Sequence, residues 1–407
     1  MPPRKNNPSD LDPNHEEYPD FYYYDLFVSQ GTSYFHLGQY QQAIEEFDKA
    51  IKLDSKAAEG YGHRGVCYDN LGQYQRAIED YDKAIELDPN SAIGYQNRGY
   101  SYRRLGQYQR AIEDYDKAIE LDPNYALGYR SRGFSYQRLG QNERAIEDYD
   151  KAIELDPNSA IDYHNRGYSY DSLGQYQRAI EDYDKAIELD QNFYLAYQNR
   201  GDAYVRLGQY QRAIEDFDKS IELDPNNAEG YTTRGFSYHN LGQYQRAIED
   251  YDKAIDLNPN AVRYTTRDHS YRWLGQGQQA IEDYDKAIEL DPNDSRTYNN
   301  RGDAYVKLGQ YQRPIEDYDK SIDLNPNAVR YTIRGNSYRW LGQDQQAIED
   351  YDKVIELDPN NAEAYNNRGT SYHSLGQIER AIEDYDEAIK LDPDNAEAYN
   401  ELKMRIV

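Results

Sequence analysis

The sequence predicts an all-α fold of stacked helical hairpins, and three observations support this prediction. A Leu-Gly-Gln signal recurs every 33 or 34 residues along the chain. Between these signals, apolar residues follow the period of an α-helix, and glycine or proline marks where each helix ends. The chain also contains 46 Tyr residues, so tyrosine rings and small alanines replace much of an ordinary aliphatic core.

The recurring signal divides the 407 residues into an array rather than into separate domains. Its glycines are Gly38, Gly72, Gly106, Gly140, Gly174, Gly208, Gly242, Gly275, Gly309, Gly342 and Gly376. They predict eleven units, at residues 24–57, 58–91, 92–125, 126–159, 160–193, 194–227, 228–260, 261–294, 295–327, 328–361 and 362–395. One unit buries too little apolar surface to fold alone, so neighbouring units must stack.

Each unit is predicted to form two helices, as residues 58–91 illustrate. Gly72 ends the first helix because glycine readily adopts the left-handed conformation of a helix C-terminus. In the second helix one face is apolar, with Ala77, Ile78, Tyr81, Ala84 and Ile85. Pro89 ends that helix, and Asn90 or Ser91 can cap the one that follows.

These residues resemble the tetratricopeptide repeat family, whose pattern of aromatic, small and proline positions matches one unit after another. In the second unit the matching residues are Tyr61, Gly65, Tyr68, Ala77, Tyr81, Ala84 and Pro89. The resemblance covers residues 24–395 and implies a right-handed α-α superhelix whose first helices line a concave groove. Members of this family mostly bind other proteins.

The two ends of the chain differ from the array. Residues 1–20 are rich in Pro, Asn and Asp, and we expect a disordered tail there, followed by the array within residues 21–395. Residues 21–24 are expected to pack on the first unit. Residues 396–407 are predicted to form a capping helix, with Tyr399, Leu402 and Ile406 on one stripe.

Ten units depart from the family pattern by having arginine directly before the glycine of the first helix. These residues are Arg64, Arg98, Arg132, Arg166, Arg200, Arg234, Arg267, Arg301, Arg334 and Arg368. Each of these units also has Asp before the aromatic residue of its second helix, so we predict an Arg–Asp ion pair within each unit. Asp268 replaces the usual glycine and is expected to loosen its unit. Pro314 lies in the first turn of its helix, where it is tolerated.

Composition argues against several classes of function. A net charge of −28 is unfavourable for binding nucleic acid or an acidic membrane. No apolar run is long enough for a membrane span, and residues 1–20 lack the apolar core of a signal peptide, so a cytoplasmic protein is expected. One Cys and scattered His residues predict no disulfide, metal site or cofactor. Catalytic motifs are absent, so we do not expect an enzyme.

The predicted groove is basic, because the first helices hold about twice as many Lys and Arg residues as Asp and Glu residues. We therefore predict a scaffold that binds an extended, acidic peptide or protein segment. The candidate contacts are Asn97, Asn165, Asn199, Asn300, Asn367, Arg103, Arg104, Arg130, Arg138, Arg206, Arg272, Lys307, Arg339, Trp273 and Trp340. The asparagines can instead be ordinary solvated surface, and the tryptophans can pack on the neighbouring unit. The alternative function is a structural protein that associates with itself.

Overall fold

The computed structural model describes residues 20–310 and 312–393, and no β-strand lies within these ranges. It contains 22 described helices in tandem pairs, which confirms the predicted all-α class. The chain divides into two compact units, with the boundary between Ala203 and Tyr204. From here on, the first and second unit are these two halves of the chain, and each pair of helices that forms one repeat is called a hairpin. The predicted tail, apart from Asp20, and the predicted capping helix at 396–407 lie outside the described residues.

The first unit contains ten complete helices. They are α1 (Asp20–His36), α2 (Tyr40–Leu53), α3 (Ala58–Asn70), α4 (Tyr74–Leu87), α5 (Ala92–Arg104), α6 (Tyr108–Leu121), α7 (Ala126–Arg138), α8 (Asn142–Leu155), α9 (Ala160–Ser172) and α10 (Tyr176–Leu189). The boundary between the units falls inside α11 (Tyr194–Arg206). We call the odd-numbered helices A helices and the even-numbered helices B helices.

The second unit continues the same alternation of A and B helices. Its helices are α12 (Tyr210–Leu223), α13 (Ala228–Asn240), α14 (Tyr244–Leu257), α15 (Ala261–Trp273), α16 (Gly277–Leu290), α17 (Ser295–Lys307), α18 (Arg313–Leu324), α19 (Ala328–Trp340), α20 (Asp344–Leu357), α21 (Ala362–Ser374) and α22 (Ile378–Leu391). Within the described ranges, none of the helices combines the length and the apolar composition needed to cross a membrane.

Local sequence signals set the helix ends. Gly72 follows α3 with a φ of +72°, a conformation that glycine adopts without strain. This lets the Gln73 N–H donate to the Tyr68 carbonyl at 2.8 Å and close the helix. Ser91 caps α5, because its Oγ accepts a hydrogen bond from the Gly94 N–H at 3.1 Å. Both ends therefore form where the sequence predicted them.

Tyrosine rings of the B helices fill the space against the A helices, and they fit where the facing A residue is glycine. Tyr81 of α4 is fully buried, and a Cβ atom added at Gly65 of α3 would lie 2.7 Å from its Cε1 atom. Ala77 of α4 is also fully buried. Since α4 packs against both α3 and α5, the core continues from one hairpin to the next.

Two residues that depart from the repeat pattern are accommodated differently. Pro314 lies in the first turn of α18, as predicted, and this helix begins only at Arg313. α15 continues without a break through Asp268, which is fully buried. The expected loosening of this hairpin is therefore not seen as a break in the helix.

Candidate functional site

The A helices have an inner face on which many side chains stay exposed. In the first unit a cavity of about 430 Å³ is lined by His63 and Val66 of α3 and by Ile93 and Asn97 of α5, together with Tyr81 and Ala84 of α4. A similar cavity of about 570 Å³ in the second unit is lined by residues of α15 and α17, including Asn300. The second, sixth and ninth residues of the A helices line these cavities, and this surface is the candidate binding face.

The arginine that precedes the glycine lies on the opposite side and binds two carboxylates. Arg132 donates through Nε and Nη2 to Asp148 of its own hairpin, at 2.9 and 2.6 Å. Its Nη1 donates to Asp116 of the preceding hairpin at 2.6 Å. Burial raises the pKa of the Asp148 carboxyl, and the hydrogen bonds from Arg132 oppose this rise. The Arg132 guanidinium therefore binds carboxylates of the array itself and joins two hairpins.

The predicted Arg–Asp pair is confirmed in nine hairpins of the described chain. The pairs are Arg64–Asp80, Arg98–Asp114, Arg132–Asp148, Arg166–Asp182, Arg234–Asp250, Arg267–Asp283, Arg301–Asp317, Arg334–Asp350 and Arg368–Asp384. Sequence reasoning missed the second carboxylate, which belongs to the preceding B helix. In the sequence this second partner is the Asp that follows the B-helix aromatic residue. Asp82, after Tyr81, binds Arg98 in this way.

Two of the predicted asparagines, Asn165 of α9 and Asn199 of α11, lie on either side of His164. The Asn199 Nδ2 group donates to His164 Nε2 at 2.9 Å. With its proton on Nδ1, the same ring donates to Asn165 Oδ1 at 3.2 Å. Burial lowers the pKa of His164, which favours this neutral form. The Asn199 amide therefore joins α11 to α9, whereas the Asn165 amide holds the His164 ring within α9.

The remaining asparagines are half-buried on the inner face. Asn367 Oδ1 accepts a hydrogen bond from Arg339 Nη1 at 2.9 Å, so it also joins two A helices. Asn97 and Asn300 line the two cavities. Of the five predicted asparagines, these two are the best placed to meet a ligand.

Two predicted cations already have acidic partners. Arg130 of α7 binds the fully buried Asp162 of α9 through two hydrogen bonds, at 2.5 and 2.7 Å, and also donates to Ser159 at 2.9 Å. Arg272 Nε lies 2.9 Å from an Asp268 carboxylate oxygen one turn earlier in α15. These two guanidiniums are held in place by the fold, and their charges are neutralised there.

Three predicted arginines in the first unit contact aromatic rings instead. The Arg103 guanidinium lies 5.0 Å from the Tyr100 ring centre and 4.9 Å from that of Phe134. Arg104 lies 5.0 Å from the ring centre of Tyr74, and Arg138 lies 5.8 Å from that of Tyr108. No carboxylate in the described part of the chain forms an ion pair with these three guanidiniums. Cation–π contacts fix their positions without neutralising their charges.

The other predicted contacts are on exposed parts of the A helices. Arg206 and Lys307 lie in the last turns of α11 and α17 and are exposed. Trp273 stacks on Tyr244 of the preceding hairpin, with 5.8 Å between ring centres and an interplanar angle of 5°, yet it is 68% exposed. Trp340, at the equivalent position of α19, is also exposed. One face of the Trp273 ring therefore packs on the neighbouring hairpin, and the other face is exposed.

Sequence reasoning missed an apolar series on the candidate face. The second residue of α5, α7, α9 and α11 is an exposed aliphatic residue in each case: Ile93, Leu127, Ile161 and Leu195. The sequence shows it as an aliphatic residue after the first helical position, where the repeats at 58–91, 228–260 and 362–395 have Glu. Among the described residues, no group of three or more His, Cys, Asp or Glu side chains is arranged to hold a metal ion.

Comparison with solved structures finds proteins with helical repeats. The crystal structure of MamA is 30% identical in sequence, and the alignment covers 39% of this chain and 93% of MamA with a TM-score of 0.38. A tetratricopeptide repeat protein from Parabacteroides merdae is 21% identical over 61% of this chain and 99% of that one, with a TM-score of 0.49. YrrB, described as a TPR protein with an unusual peptide-binding site, is 27% identical over 48% of this chain and 99% of YrrB, with a TM-score of 0.41. No curated protein matches the sequence.

Family models match the sequence along nearly all of the described array. A model described as TPR repeat matches residues 31–72, 99–140, 201–242, 269–309 and 335–376. A model described as Tetratricopeptide repeat matches residues 58–91, 126–159, 160–193, 228–261, 295–328 and 362–395, and another with the same description matches 80–113 and 182–215. Because these matches together cover well over half of the sequence and follow the paired A and B helices, the chain belongs to the tetratricopeptide repeat family.

Proposed function

We propose that the protein is a non-enzymatic scaffold that binds an acidic peptide segment on the inner face of its A helices. The observation that carries this proposal is the environment of Arg103, Arg104 and Arg138. Each guanidinium lies against aromatic rings, and within the described residues none of them pairs with a carboxylate. All three arginines lie on α5 or α7, in a chain with a net charge of −28, and still lack acidic partners among the residues that the structure describes. An acidic ligand would supply those partners.

The local sequence around these arginines supports the same ligand. α5 and α7 contain no Asp or Glu residue, so no carboxylate of either helix repels an acidic segment. The aromatic contacts restrict the arginine side chains before a ligand binds, which lowers the entropy cost of binding. Asn97 lines the cavity between α3 and α5, where its amide can both donate to and accept from a peptide backbone.

The other predicted contacts are given different roles in this proposal. Arg130, Arg272 and Arg339 already bind neighbouring side chains, so we propose that they shape the inner face rather than contact the ligand. Trp273 is proposed as an aromatic anchor in the second unit, because one face of its ring is exposed. A cytoplasmic location is also part of the proposal, since Cys67 is a buried free thiol.

A charge-reversal experiment tests the proposal. We expect the double variant Arg104→Glu and Arg138→Glu to bind a labelled peptide of four Glu-Gly-Ser repeats about tenfold more weakly, measured by fluorescence anisotropy. Binding by the unchanged protein is expected to weaken as salt is added, because exposed charges are screened.

The matched control reverses two exposed arginines on B helices, Arg110→Glu and Arg144→Glu. These side chains donate to glutamines of their own helix ends, and the variant has the same net charge as the first. Equal weakening by both double variants would mean that net charge alone matters. Unchanged binding by the Arg104 and Arg138 variant would refute the proposed site.

A second candidate function is self-association, and large exposed apolar side chains at the two ends of α1 favour it. Phe21 and Leu37, which lies directly after this helix, are both largely exposed. Large exposed apolar side chains at the end of an array can stack on another copy. Sedimentation over a range of protein concentrations separates the two functions, because a strict monomer would exclude assembly through α1.

A further inference from the structure

The inner face of the first unit carries a row of aliphatic side chains on four consecutive A helices. Ile93, Leu127, Ile161 and Leu195 are 64%, 40%, 46% and 39% exposed. Each is the second residue of its helix, and Ile93 lines the same cavity as Asn97. At this position α3 has Glu59, so folding of an A helix does not require an aliphatic residue here. Exposed aliphatic side chains at the same position of four consecutive A helices indicate an interaction surface.

A second row, on three of the same helices, is aromatic. The ninth residues of α5, α7 and α9 are Tyr100, Phe134 and Tyr168, and Tyr168 is exposed. This position faces the inner side, because Val66, the ninth residue of α3, lines the cavity with Ile93. Grooves lined by aromatic rings bind segments in the polyproline II conformation, whose ridged surface fits between the rings.

The spacing of the A helices favours the same conformation. Neighbouring A helices are in contact, since Gln96 of α5 donates to Ser131 of α7 at 2.9 Å. Axes of packed helices are about 8–10 Å apart. A polyproline II segment advances about 9 Å in three residues and returns every third side chain to the same face. In a β-strand the same face recurs after about 7 Å, which does not fit this spacing.

An α-helical ligand has a suitable spacing but unsuitable chemistry. Seven residues of a helix rise about 10.5 Å, so one side chain in seven can follow the row. The backbone groups of a helix bond to one another, however, which leaves nothing for Asn97 to bind. A polyproline II backbone has no internal hydrogen bonds and exposes these groups.

We propose that Ile93, Leu127, Ile161 and Leu195, with the aromatic row beside them, bind an acidic segment in the polyproline II conformation. This segment has proline or an aliphatic residue at every third position, so that one such residue meets each A helix. The inference rests on the proposed function, because Arg103, Arg104 and Arg138 receive the carboxylates of the same segment. The aliphatic and aromatic rows determine its conformation and register.

Binding of two labelled peptides to the full chain tests this inference. One peptide has four Leu-Pro-Glu repeats, and the other has the same composition with its leucines at irregular spacing. The regular peptide is expected to bind at least tenfold more tightly. The double variant Ile93→Ser and Leu127→Ser is expected to bind the regular peptide about tenfold more weakly or worse, because two apolar contacts are lost.

The matched control is the double variant Leu290→Ser and Leu357→Ser, which changes two exposed aliphatic residues at the ends of the B helices α16 and α20. It is expected to leave the affinity unchanged. Equal binding of the two peptides, or tighter binding of a proline-free helical peptide with leucine at every seventh position, would overturn the inference. If Arg104→Glu with Arg138→Glu weakens both peptides while Ile93→Ser with Leu127→Ser weakens neither, the inference fails and the acidic-peptide function stands.

Discussion

Asp268 is expected to make the stability of the second unit depend on pH. Its side chain is fully buried at the position that is glycine in the other hairpins. The Tyr284 hydroxyl donates to its carboxylate, and Arg272 Nε lies 2.9 Å from the same oxygen. Burial raises the pKa of Asp268 from 3.8 to about 6, although the Tyr284 hydrogen bond and the Arg272 charge oppose the rise.

The raised pKa gives both the sign and the size of the effect. Because the folded state binds the proton more tightly than the unfolded state, protonation of Asp268 stabilises the fold. This stabilisation is complete below about pH 4 and is lost as the pH rises to about 6. A difference of about two pKa units corresponds to about 3 kcal/mol in the free energy of unfolding. At neutral pH the ionised carboxylate therefore costs the second unit about that amount.

The measurement compares Asp268→Asn with the unchanged residue by urea denaturation between pH 4 and pH 7. Trp273 lies one turn and a half after Asp268 in α15, and its fluorescence reports on this hairpin. Trp340 is the only other tryptophan, so both proteins carry Trp340→Phe to make the signal local. We expect the variant to gain about 3 kcal/mol over the reference as the pH rises from 4 to 7.

The control and the contradicting results are equally specific. Asp256→Asn changes an exposed aspartate of α14 and is expected to follow the pH dependence of the reference. His239 and His269, whose pKa values are lowered by burial, are present in both proteins, so their titration largely cancels in the comparison. Parallel pH curves for Asp268→Asn and the reference, or a variant that is less stable at pH 7, would refute this account of the buried carboxylate.

Two further predictions concern the packing that repeats along the array. Arg132→Met is expected to cost about 3 kcal/mol of unfolding free energy because it leaves the buried Asp148 carboxylate without its cation. Asp116→Asn, at a half-exposed site, is expected to cost no more than about 1 kcal/mol. Equal losses in urea denaturation would contradict this difference. Gly65→Ala is expected to lower the free energy of unfolding by about 1–3 kcal/mol, because the new Cβ meets the Tyr81 ring. Gly62→Ala in the same helix is expected to raise it by about 0.5–1 kcal/mol, because a Cβ there meets nothing within 4 Å. Thermal unfolding in which both alanine variants shift the same way would show that this contact does not set the difference.

Most of the fold could be predicted because its signals are local. Gly72 and Pro89 end helices through their own backbone restrictions, and Ser91 caps the next helix through its own side chain. The Arg132–Asp148 pair was also predictable, since both residues recur together in one unit. The second partner, Asp116, was missed because it lies in the preceding hairpin, and the period alone does not show which residues meet across a boundary between hairpins.

The candidate site was harder to predict for the same reason. The sequence placed Asn199 on the inner face but gave no indication that it donates to His164, which belongs to the preceding A helix. Arg130 was predicted as a ligand contact, yet Asp162 of the next A helix neutralises it. No ion pair within residues 20–310 and 312–393 neutralises the charges of Arg104 and Arg138, because their neighbours are aromatic rings. Contacts between hairpins therefore decide which inner-face residues are available, and these contacts require the structure.

The division of each A helix into two sides explains where specificity can arise. The side facing the B helices is almost constant, because a Gly must admit a tyrosine ring and an Arg must bridge two aspartates. The inner face has no such requirement, and its second residue changes from Ile93 in α5 to Glu229 in α13 and Arg296 in α17. Variation at this second position alters binding chemistry at little cost to stacking, since Ile93, Glu229 and Arg296 are all exposed. Function in this array is therefore expected to depend on the positions where the repeat varies, and the aliphatic row of the first unit is the longest such variation that stays of one chemical kind.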